Sequence, residues 1–397
     1  MSTATREGRL AIFDDVWSTI NDRYYDRSFH GINWDAQRTN FRAVAADAAT
    51  AREFYAVLRQ MIGALNDPHT RIFAPEEKFD WWRPRFASIG LSLREISGLP
   101  TVIKVEPRSA PERAGVRAGD VIESVNGLPA PLLIKNKLTR LPAAAGASTR
   151  HRVYAKMLDG PPETSVEIVW SGKNGKQKTA RFVRSWQQRD LGIRIRREKQ
   201  MAIVEMDAFT KPIAADFTRA LREKLEGIRG VVIDLRGNGG GDAEAMADVA
   251  TALLGPRVNL GEFIDRGGSS FVISTSLKSP FMADRIVQTS LPVVVLASER
   301  TSSAAEILLA SLKNAKRATI VGTETCGCVL AIRTRHTLPD GGLLDVSELD
   351  YQTSTGERLE GNGVKPDEHV TIERNDLYAG RDRSLEIALR FLSKRQN

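Results

Sequence analysis

The sequence predicts a multidomain α+β fold with a helical N-terminal region, a β-rich middle domain and an α/β core. Apolar residues recur every three to four positions from about Leu10 to Ile72, which is typical of amphipathic helices. Short β-rich runs broken by Gly and Pro fill the stretch from Ser88 to about Val183. Beyond Trp186 strands and helices alternate, which predicts a sheet covered by helices. A chain of 397 residues is also too long for one compact core.

The helical region is expected to span residues 1–80, with a polar interruption at Tyr24–Trp34. It ends in the sequence LNDPHT. Because a residue that precedes proline is disfavoured in helical conformation, Pro68 argues against a helix that continues through Asp67.

The middle domain is expected to span residues 85–185. Its predicted strands lie in the runs IGLSLREI, PTVIKVE, DVIESVNG, SVEIVWS and KTARFV, each bounded by turn residues. This spacing is typical of a small independent β-rich unit.

The α/β core is expected to span residues 186–397. It alternates the strands MAIVEMDAF, GVVIDLR, VVVLA and ATIVG with the helices IAADFTRALREKLEGI, DAEAMADVATALLG and AAEILLASLKN. The run SLEIALRFLSKR is predicted to form a terminal helix.

The composition excludes several classes of protein. The 57 Lys and Arg against 49 Asp and Glu give a net charge of +8, but these charges are scattered, so we expect no nucleic-acid binding. No apolar run approaches the roughly 20 residues of a membrane span. The N-terminus lacks the basic-then-apolar pattern of a secretory signal, which predicts a cytoplasmic location, or export if a signal peptide was removed.

Ser303 is the candidate nucleophile, at the start of a predicted helix that follows the buried strand VVVLA. Unpaired N–H groups at a helix N-terminus favour negative charge, so the N–H of Ala304 is a candidate oxyanion donor. Gly239 and Gly240, in IDLRGNGGG, would let a second stretch of backbone approach the substrate. Taken alone, Thr301-Ser302-Ser303 is equally typical of a helix cap, and Ser302 is the nearest rival nucleophile.

Taken together, IDLRGNGGG, the TSSAAE stretch around Ser303 and GNGVKPD resemble the C-terminal processing (tail-specific) and tricorn-core serine peptidases. The resemblance implies a serine endopeptidase with a ClpP/crotonase-like α/β core and no metal or organic cofactor, in which Gly239 and Gly240 line the oxyanion hole with Ala304. It also implies that residues 1–80 contribute to the catalytic unit. Its substrate would be a peptide or protein, and an oligomer is possible.

The middle segment from Ile89 to Gly127 resembles a PDZ domain. In that resemblance Gly90, Leu91, Ser92 and Leu93 match the loop that binds a peptide's terminal carboxylate. Such loops use backbone N–H groups while the peptide adds a strand to the sheet. The alternative is a PDZ fold that only docks on its own catalytic domain.

The base that activates Ser303 departs from the processing-peptidase pattern, because Cys328 stands where those enzymes carry a lysine. An unperturbed histidine pKa of about 6.5 suits general-base catalysis near neutrality. In tricorn-like members a histidine and a glutamate serve the serine; the resemblance assigns these roles to His69 and Glu360. Pro68 occupies the place of a further serine of that arrangement. The main alternative is a catalytically inactive peptide-binding scaffold or chaperone.

The remaining histidines and the two cysteines are assigned less specific roles. His336 is a less favoured base, because RTRHTLPDGG is predicted to form a strand that leads into a turn. We expect His30, His151 and His369 to be solvated. Cys326 and Cys328 have two interpretations: a regulatory, redox-sensitive pair near Ser303, or small apolar fillers. Two such ligands do not make a zinc site.

Overall fold

The computed structural model describes residues 1–77, 80, 83–139, 147–223, 227–276 and 288–394. The end of the predicted core at 397 and residues 224–226 of a predicted helix lie outside these ranges. The N-terminal helices are α1 (Arg6–Arg23), α2 (Trp34–Ala46) and α3 (Ala51–Gly63), followed by strand β1 (Arg71–Phe73). The side chains of Thr5, Asn33 and Thr50 cap the three helices by accepting the N–H three residues further on.

The middle of the chain forms a mainly antiparallel sheet with three helices. Its elements are β2 (Arg85–Ser88), β3 (Leu91–Ile96), β4 (Leu99–Val105), α4 (Ala110–Arg113), β5 (Val121–Val125), β6 (Leu128–Pro129), α5 (Ala130–Leu138), α6 (Ala147–Ala155), β7 (Ser165–Ser171), β8 (Gln177–Val183) and β9 (Ser185–Gln188). The sheet order is β3-β4-β5-β7-β8, so β3 lies at an edge, and α6 packs against it. The pair β2-β9 stands apart where the chain enters and leaves this region.

The last part of the chain contains the following elements: β10 (Ile193–Glu198), β11 (Met201–Met206), α7 (Lys211–Glu223), β12 (Gly230–Asp234), α8 (Ala243–Leu254), β13 (Asn259–Asp265), β14 (Ser270–Ser274), β15 (Val293–Ala297), α9 (Ala304–Asn314), β16 (Ala318–Gly322), β17 (His336–Thr337), β18 (Leu343–Asp345), β19 (Leu349–Gln352), β20 (Glu368–His369), α10 (Arg374–Tyr378) and α11 (Arg383–Lys394). Its main sheet has the order β10-β11-β12-β15-β16-β20, parallel from β11 onwards. The predicted mixed α+β fold with a helical N-terminal region is confirmed.

Hydrophobic cores show how the parts join. Residues of α7, α8 and α9 pack on one face of the main sheet, and α11 covers the other. The middle sheet has a core of its own around Val102, Ile122 and Trp170. The core of the N-terminal helices also includes Leu338 and Leu344, from the far end of the chain. The segment after α3 is thereby packed against the last part of the chain. No helix in the described ranges combines the length and apolarity required to cross a bilayer.

Candidate active site

Ser303 lies at the junction between β15 and α9, in a conformation rare for a residue with a side chain. Its φ of 58° and ψ of −129° lie outside the usual regions, at a cost of about 1–3 kcal/mol. The turn around it is fixed by Thr301 Oγ1, which donates to Leu235 O at 2.8 Å and accepts from the Ser298 N–H at 3.0 Å. Strained strand-to-helix turns of this kind expose a serine hydroxyl at the top of a sheet.

Two backbone N–H groups beside Ser303 are free to bind an oxyanion. Among the described residues, the N–H groups of Gly239 and Ala304 have no hydrogen-bond acceptor. The N–H of Gly240, by contrast, donates to Asn238 Oδ1 at 2.8 Å, which removes it from the predicted donors. Gly240 matters for a steric reason: a Cβ at this position would lie 2.6 Å from Ser303 Cβ, so a side chain would clash with the candidate nucleophile.

Glu306 organises the loop that faces Ser303. Its carboxylate is fully buried and accepts from the N–H groups of Ser303, Gly327 and Cys328 at 3.1, 2.7 and 2.9 Å. It also accepts from Thr325 Oγ1 at 2.5 Å. Burial raises the pKa of Glu306 to about 6, and these donors oppose the rise. The carboxylate therefore ties the start of α9 to the segment that carries both cysteines.

His69 follows α3 and lies in a cluster of charged groups. Burial, aided by the charges of Arg71 and Arg152, lowers the pKa of His69 to about 4, while Asp67 opposes the shift. The imidazole is therefore neutral near pH 7. Its Nδ1 is buried and has no hydrogen-bond partner among the described residues, and the Asp67 carboxylate lies 3.9 Å from it. Asp67 is itself engaged by the hydroxyls of Thr70 and Ser347, each at 2.5 Å.

Glu360 lies on the other side of the same cluster. Its Oε2 accepts from the N–H groups of Val329 and Leu330 at 2.7 and 3.2 Å. Burial raises the pKa of Glu360 to about 8, the Val329 N–H opposes this, and the charge of Asp67 adds to it. In the described residues no hydrogen bond joins His69 to Ser303 or to Glu360. The predicted triad therefore stays a prediction about the substrate complex, in which catalytic hydrogen bonds tighten.

Cys326 and Cys328 form a disulfide with each other, so they are not the two independent apolar thiols of the filler interpretation. The segment is not a strand, and its backbone turns at Gly327, which has a φ of +65°. Cys328 O accepts the N–H of Ser303 at 2.8 Å. The disulfide therefore adjoins the candidate nucleophile.

Two residues that the sequence did not single out complete the cluster. Arg152, on α6, brings Nη1 to 3.5 Å from Cys328 Sγ, near the charges of Asp67 and Glu360. The hydroxyl of Tyr24, at the end of α1, is buried without a hydrogen-bond partner, and the charges of Asp67 and Glu360 help burial to raise its pKa. The short segment STRHRVYA places Arg152 beside the apolar residues Val153 and Tyr154. No local sequence pattern predicts which part of the fold this arginine contacts.

The expectation that His151 is solvated is wrong. His151 is 8% exposed, and its Nδ1 lies 3.5 Å from Glu299 in the turn before Ser303. Burial lowers the pKa of His151, and Glu299 opposes the shift. The same carboxylate pairs with Arg94 on β3 at 2.6 Å and accepts from Thr323 Oγ1 at 3.0 Å. Glu299 thus connects the middle sheet to the turn that carries Ser303.

The predicted peptide-binding residues Gly90–Leu93 begin the edge strand β3. Gly90 has a φ of +89°, and its N–H donates to Ser88 Oγ at 2.9 Å. Among the described residues β4 is the strand that pairs with β3, so the other edge of β3 has no strand partner. The assignment of Gly90–Leu93 as a peptide-binding site remains a prediction.

Two models of known protein families match regions of this chain. Residues 200–370 match the model of peptidase family S41, which includes Ser303 and Glu360. Residues 6–63 match the tricorn protease C1 domain, the helical region that precedes His69.

Curated relatives cover most of the chain. The chloroplastic C-terminal processing peptidase of Tetradesmus obliquus is 27% identical over 386 residues, which cover 91% of this chain and 77% of the relative. The carboxyl-terminal-processing protease of Synechocystis sp. is 26% identical over 384 residues, which cover 92% of this chain and 81% of the relative.

Solved structures share the fold across nearly the whole chain. The photosystem II D1 C-terminal processing protease superposes with a TM-score of 0.58 at 24% identity, covering 97% of both chains. Mature CPAF superposes with a TM-score of 0.70 at 13% identity, covering 98% of this chain and 96% of that one. With an S41 peptidase region at residues 200–370, a tricorn C1 region at residues 6–63 and carboxyl-terminal-processing relatives, this chain is a serine peptidase.

Proposed function

We propose that the protein is an endopeptidase that cleaves peptides or protein C-terminal regions through an acyl-enzyme on Ser303. His69 is the general base, Glu360 supports it, and the N–H groups of Gly239 and Ala304 bind the oxyanion. The observation that carries the proposal is the strained conformation of Ser303 beside two N–H groups without acceptors. Donors fixed in this way stabilise the tetrahedral intermediate and cost no reorganisation during the reaction.

The proton has a defined route in this mechanism. As Ser303 Oγ bonds to the substrate carbonyl carbon, His69 takes the hydroxyl proton and then gives it to the departing amine. Water next loses a proton to His69, attacks the ester and releases the acid, and the proton returns to Ser303. The lowered pKa of His69 means that the ring is neutral near pH 7 and has a lone pair that can take the proton.

Cys328 is a poorer candidate for the base. Its sulfur is bonded to Cys326, so it carries no thiolate in this state. The nearby Arg152 donates hydrogen bonds and accepts none, because a guanidinium has no acceptor. Histidine therefore remains the assignment for the role that lysine plays in the processing peptidases.

The middle sheet is proposed to be a PDZ domain spanning residues 85–185, between a helical region at 1–80 and a ClpP/crotonase-like core at 186–397. A substrate C-terminus would bind at Gly90, Leu91, Ser92 and Leu93 and extend along β3. The position of β3 at the end of the sheet supports this, because peptide strands bind by adding to an edge strand.

Labelling with a fluorophosphonate followed by intact-mass measurement tests the nucleophile. We expect one adduct in the wild type and in Ser302→Ala, and none in Ser303→Ala. Labelling should fall sharply in His69→Ala, because the histidine activates the serine. It should fall much less in Cys328→Ala, which removes the disulfide but leaves the base in place. An unlabelled wild type, under conditions that label a control peptidase, would instead support a peptide-binding scaffold.

A further inference from the structure

The Cys326–Cys328 disulfide closes a turn whose backbone bonds to Ser303, to Glu306 and to Gly361. Cys328 O accepts from Ser303 at 2.8 Å, and Gly327 and Cys328 donate to Glu306. Gly327 O accepts from Gly361 at 2.8 Å, immediately after Glu360. The turn is thus the shared support of the start of α9 and the Glu360 segment.

The two sulfurs differ in access and in electrostatic surroundings. Cys328 is 3% exposed, whereas Cys326 is half-buried and closer to solvent. Arg152 Nη1 lies 3.5 Å from Cys328 Sγ and 4.0 Å from Cys326 Sγ. Because a cation stabilises a thiolate, Cys328 is the better leaving group of the two.

We propose that Cys326–Cys328 is a reducible switch, in which a thiol attacks Cys326 Sγ, Cys328 leaves as a thiolate paired with Arg152, and peptidase activity falls. The effect on activity rests on the proposed function of Ser303, whereas the chemistry of the disulfide does not.

The reductant is a dithiol, either a small molecule or a protein dithiol. Its first thiolate bonds to Cys326 Sγ as the Cys326–Cys328 bond breaks, and the electron pair goes to Cys328. The second thiolate then attacks the reductant's own sulfur in the mixed disulfide and releases Cys326 as a thiolate that takes a proton. The protein disulfide gains two electrons, and the reductant leaves as a disulfide.

Reduction should act on catalysis through the turn. Gly327 is packed so closely that a Cβ on it would lie 2.9 Å from the N atom of Gly363. The ring closed by the disulfide limits the conformations of this turn, and opening it restores backbone freedom. The carbonyl that holds the Ser303 N–H is then less firmly positioned, and a misplacement of about 1 Å at a catalytic group costs up to a hundredfold in rate.

The first arm of the test measures reduction itself on the full chain. The protein is treated with dithiothreitol, thiols are trapped with iodoacetamide at intervals, and intact mass counts the alkylated cysteines. We expect both cysteines to be trapped, and reduction to slow about threefold or more in Arg152→Gln, because the leaving thiolate loses its cation. Arg152→Lys should restore much of the rate. Arg150→Gln, on the same helix but exposed, is the matched control.

The second arm measures peptide hydrolysis before and after reduction, without alkylation. We expect kcat to fall about tenfold or more on reduction and to return on reoxidation. A Cys326→Ser/Cys328→Ser double variant, checked for folding by circular dichroism, should not respond to dithiothreitol. A disulfide that resists the dithiol, or equal rates in Arg152→Gln and Arg150→Gln, would overturn the proposed site. Trapped thiols with unchanged kcat would overturn the switch, whereas absence of hydrolysis in both states would contradict the proposed function alone.

Discussion

At the scale of single residues, the candidate site combines a strained serine with ionisable groups whose pKa values are shifted by burial. Ser303 has the conformation of a residue held by its neighbours, and His69 and Glu360 both favour their neutral forms. Shifts of this kind cluster at functional sites, because catalysis needs groups that exchange protons near the working pH.

Replacing Ser303 separates it from its neighbour Ser302. We expect Ser303→Ala to lower kcat by about five to six orders of magnitude, as removal of a nucleophile does in other serine peptidases. Ser302→Ala should retain activity within about tenfold, because the Ser302 hydroxyl makes no hydrogen bond among the described residues, whereas its backbone N–H donates to Asn238 O at 3.1 Å. Burst and steady-state kinetics with a peptide ester measure both. A similar loss of kcat in both variants would contradict the assignment of Ser303 as the nucleophile.

The pH dependence of kcat/KM follows from the two neutral groups. His69 must be neutral to accept a proton, so activity rises as pH increases through about 4. Glu360, with a pKa of about 8, is protonated at neutral pH and ionises above it. An ionised Glu360 stabilises the imidazolium formed during the reaction, so we expect a second rise above pH 8. Glu360→Gln should lose only this upper step, and the exposed Glu357→Gln should keep both. An unchanged profile in Glu360→Gln would contradict the role of Glu360.

At the scale of elements, the junction of β15 and α9 depends on Glu306 as much as on Ser303. Four donors converge on this buried carboxylate, from the helix start and from the cysteine turn. An isolated helix N-terminus would leave these N–H groups to water. Here they bind two segments together, and the disulfide closes the second segment.

Replacing Glu306 tests this junction. Glu306→Gln puts an amide NH₂ where two donors already point, and an unsatisfied buried donor costs about 1–3 kcal/mol. We expect the free energy of unfolding in urea to fall by about 2–4 kcal/mol, because both the new and the old donors lose their acceptor. Glu357→Gln, at an exposed position, should change it by less than about 0.5 kcal/mol. Equal stabilities of the two variants would show that the turn is held by other contacts.

The sequence predicted the elements that carry strong local patterns. The buried run VVVLA, the polar turn and the apolar helix identified the setting of Ser303, and Pro68 marked the end of the helical region before His69. It missed α6, whose nine residues are too short for a clear period, and with it Arg152. The contacts of Glu299 with Arg94 and His151 join residues distant in sequence. Such pairs depend on tertiary packing and leave no local pattern.

At the scale of the whole molecule, the candidate site is assembled from all three parts of the chain. His69 follows the N-terminal helices, Ser303 and Glu360 come from the last part, and Arg152 comes from α6 in the middle part. The shared core of the N-terminal helices with Leu344 holds the first and last parts together. The middle sheet contacts the site through Glu299 and through the disulfide, so its position bears on the geometry around Ser303.

Loss of the Arg94–Glu299 pair tests whether the middle sheet supports catalysis. In Arg94→Gln a mostly buried carboxylate loses its charged partner at 2.6 Å, which costs about 1.5–3 kcal/mol. We expect kcat/KM for a long peptide to fall about tenfold or more, whereas a short ester that needs only Ser303 loses less. Arg181→Gln removes an exposed pair of the same sheet, with Glu167, and should change neither value appreciably. Equal losses for both substrates would mean that Arg94 acts only on the turn at Glu299. A loss no larger than that of Arg181→Gln would separate the middle sheet from catalysis altogether.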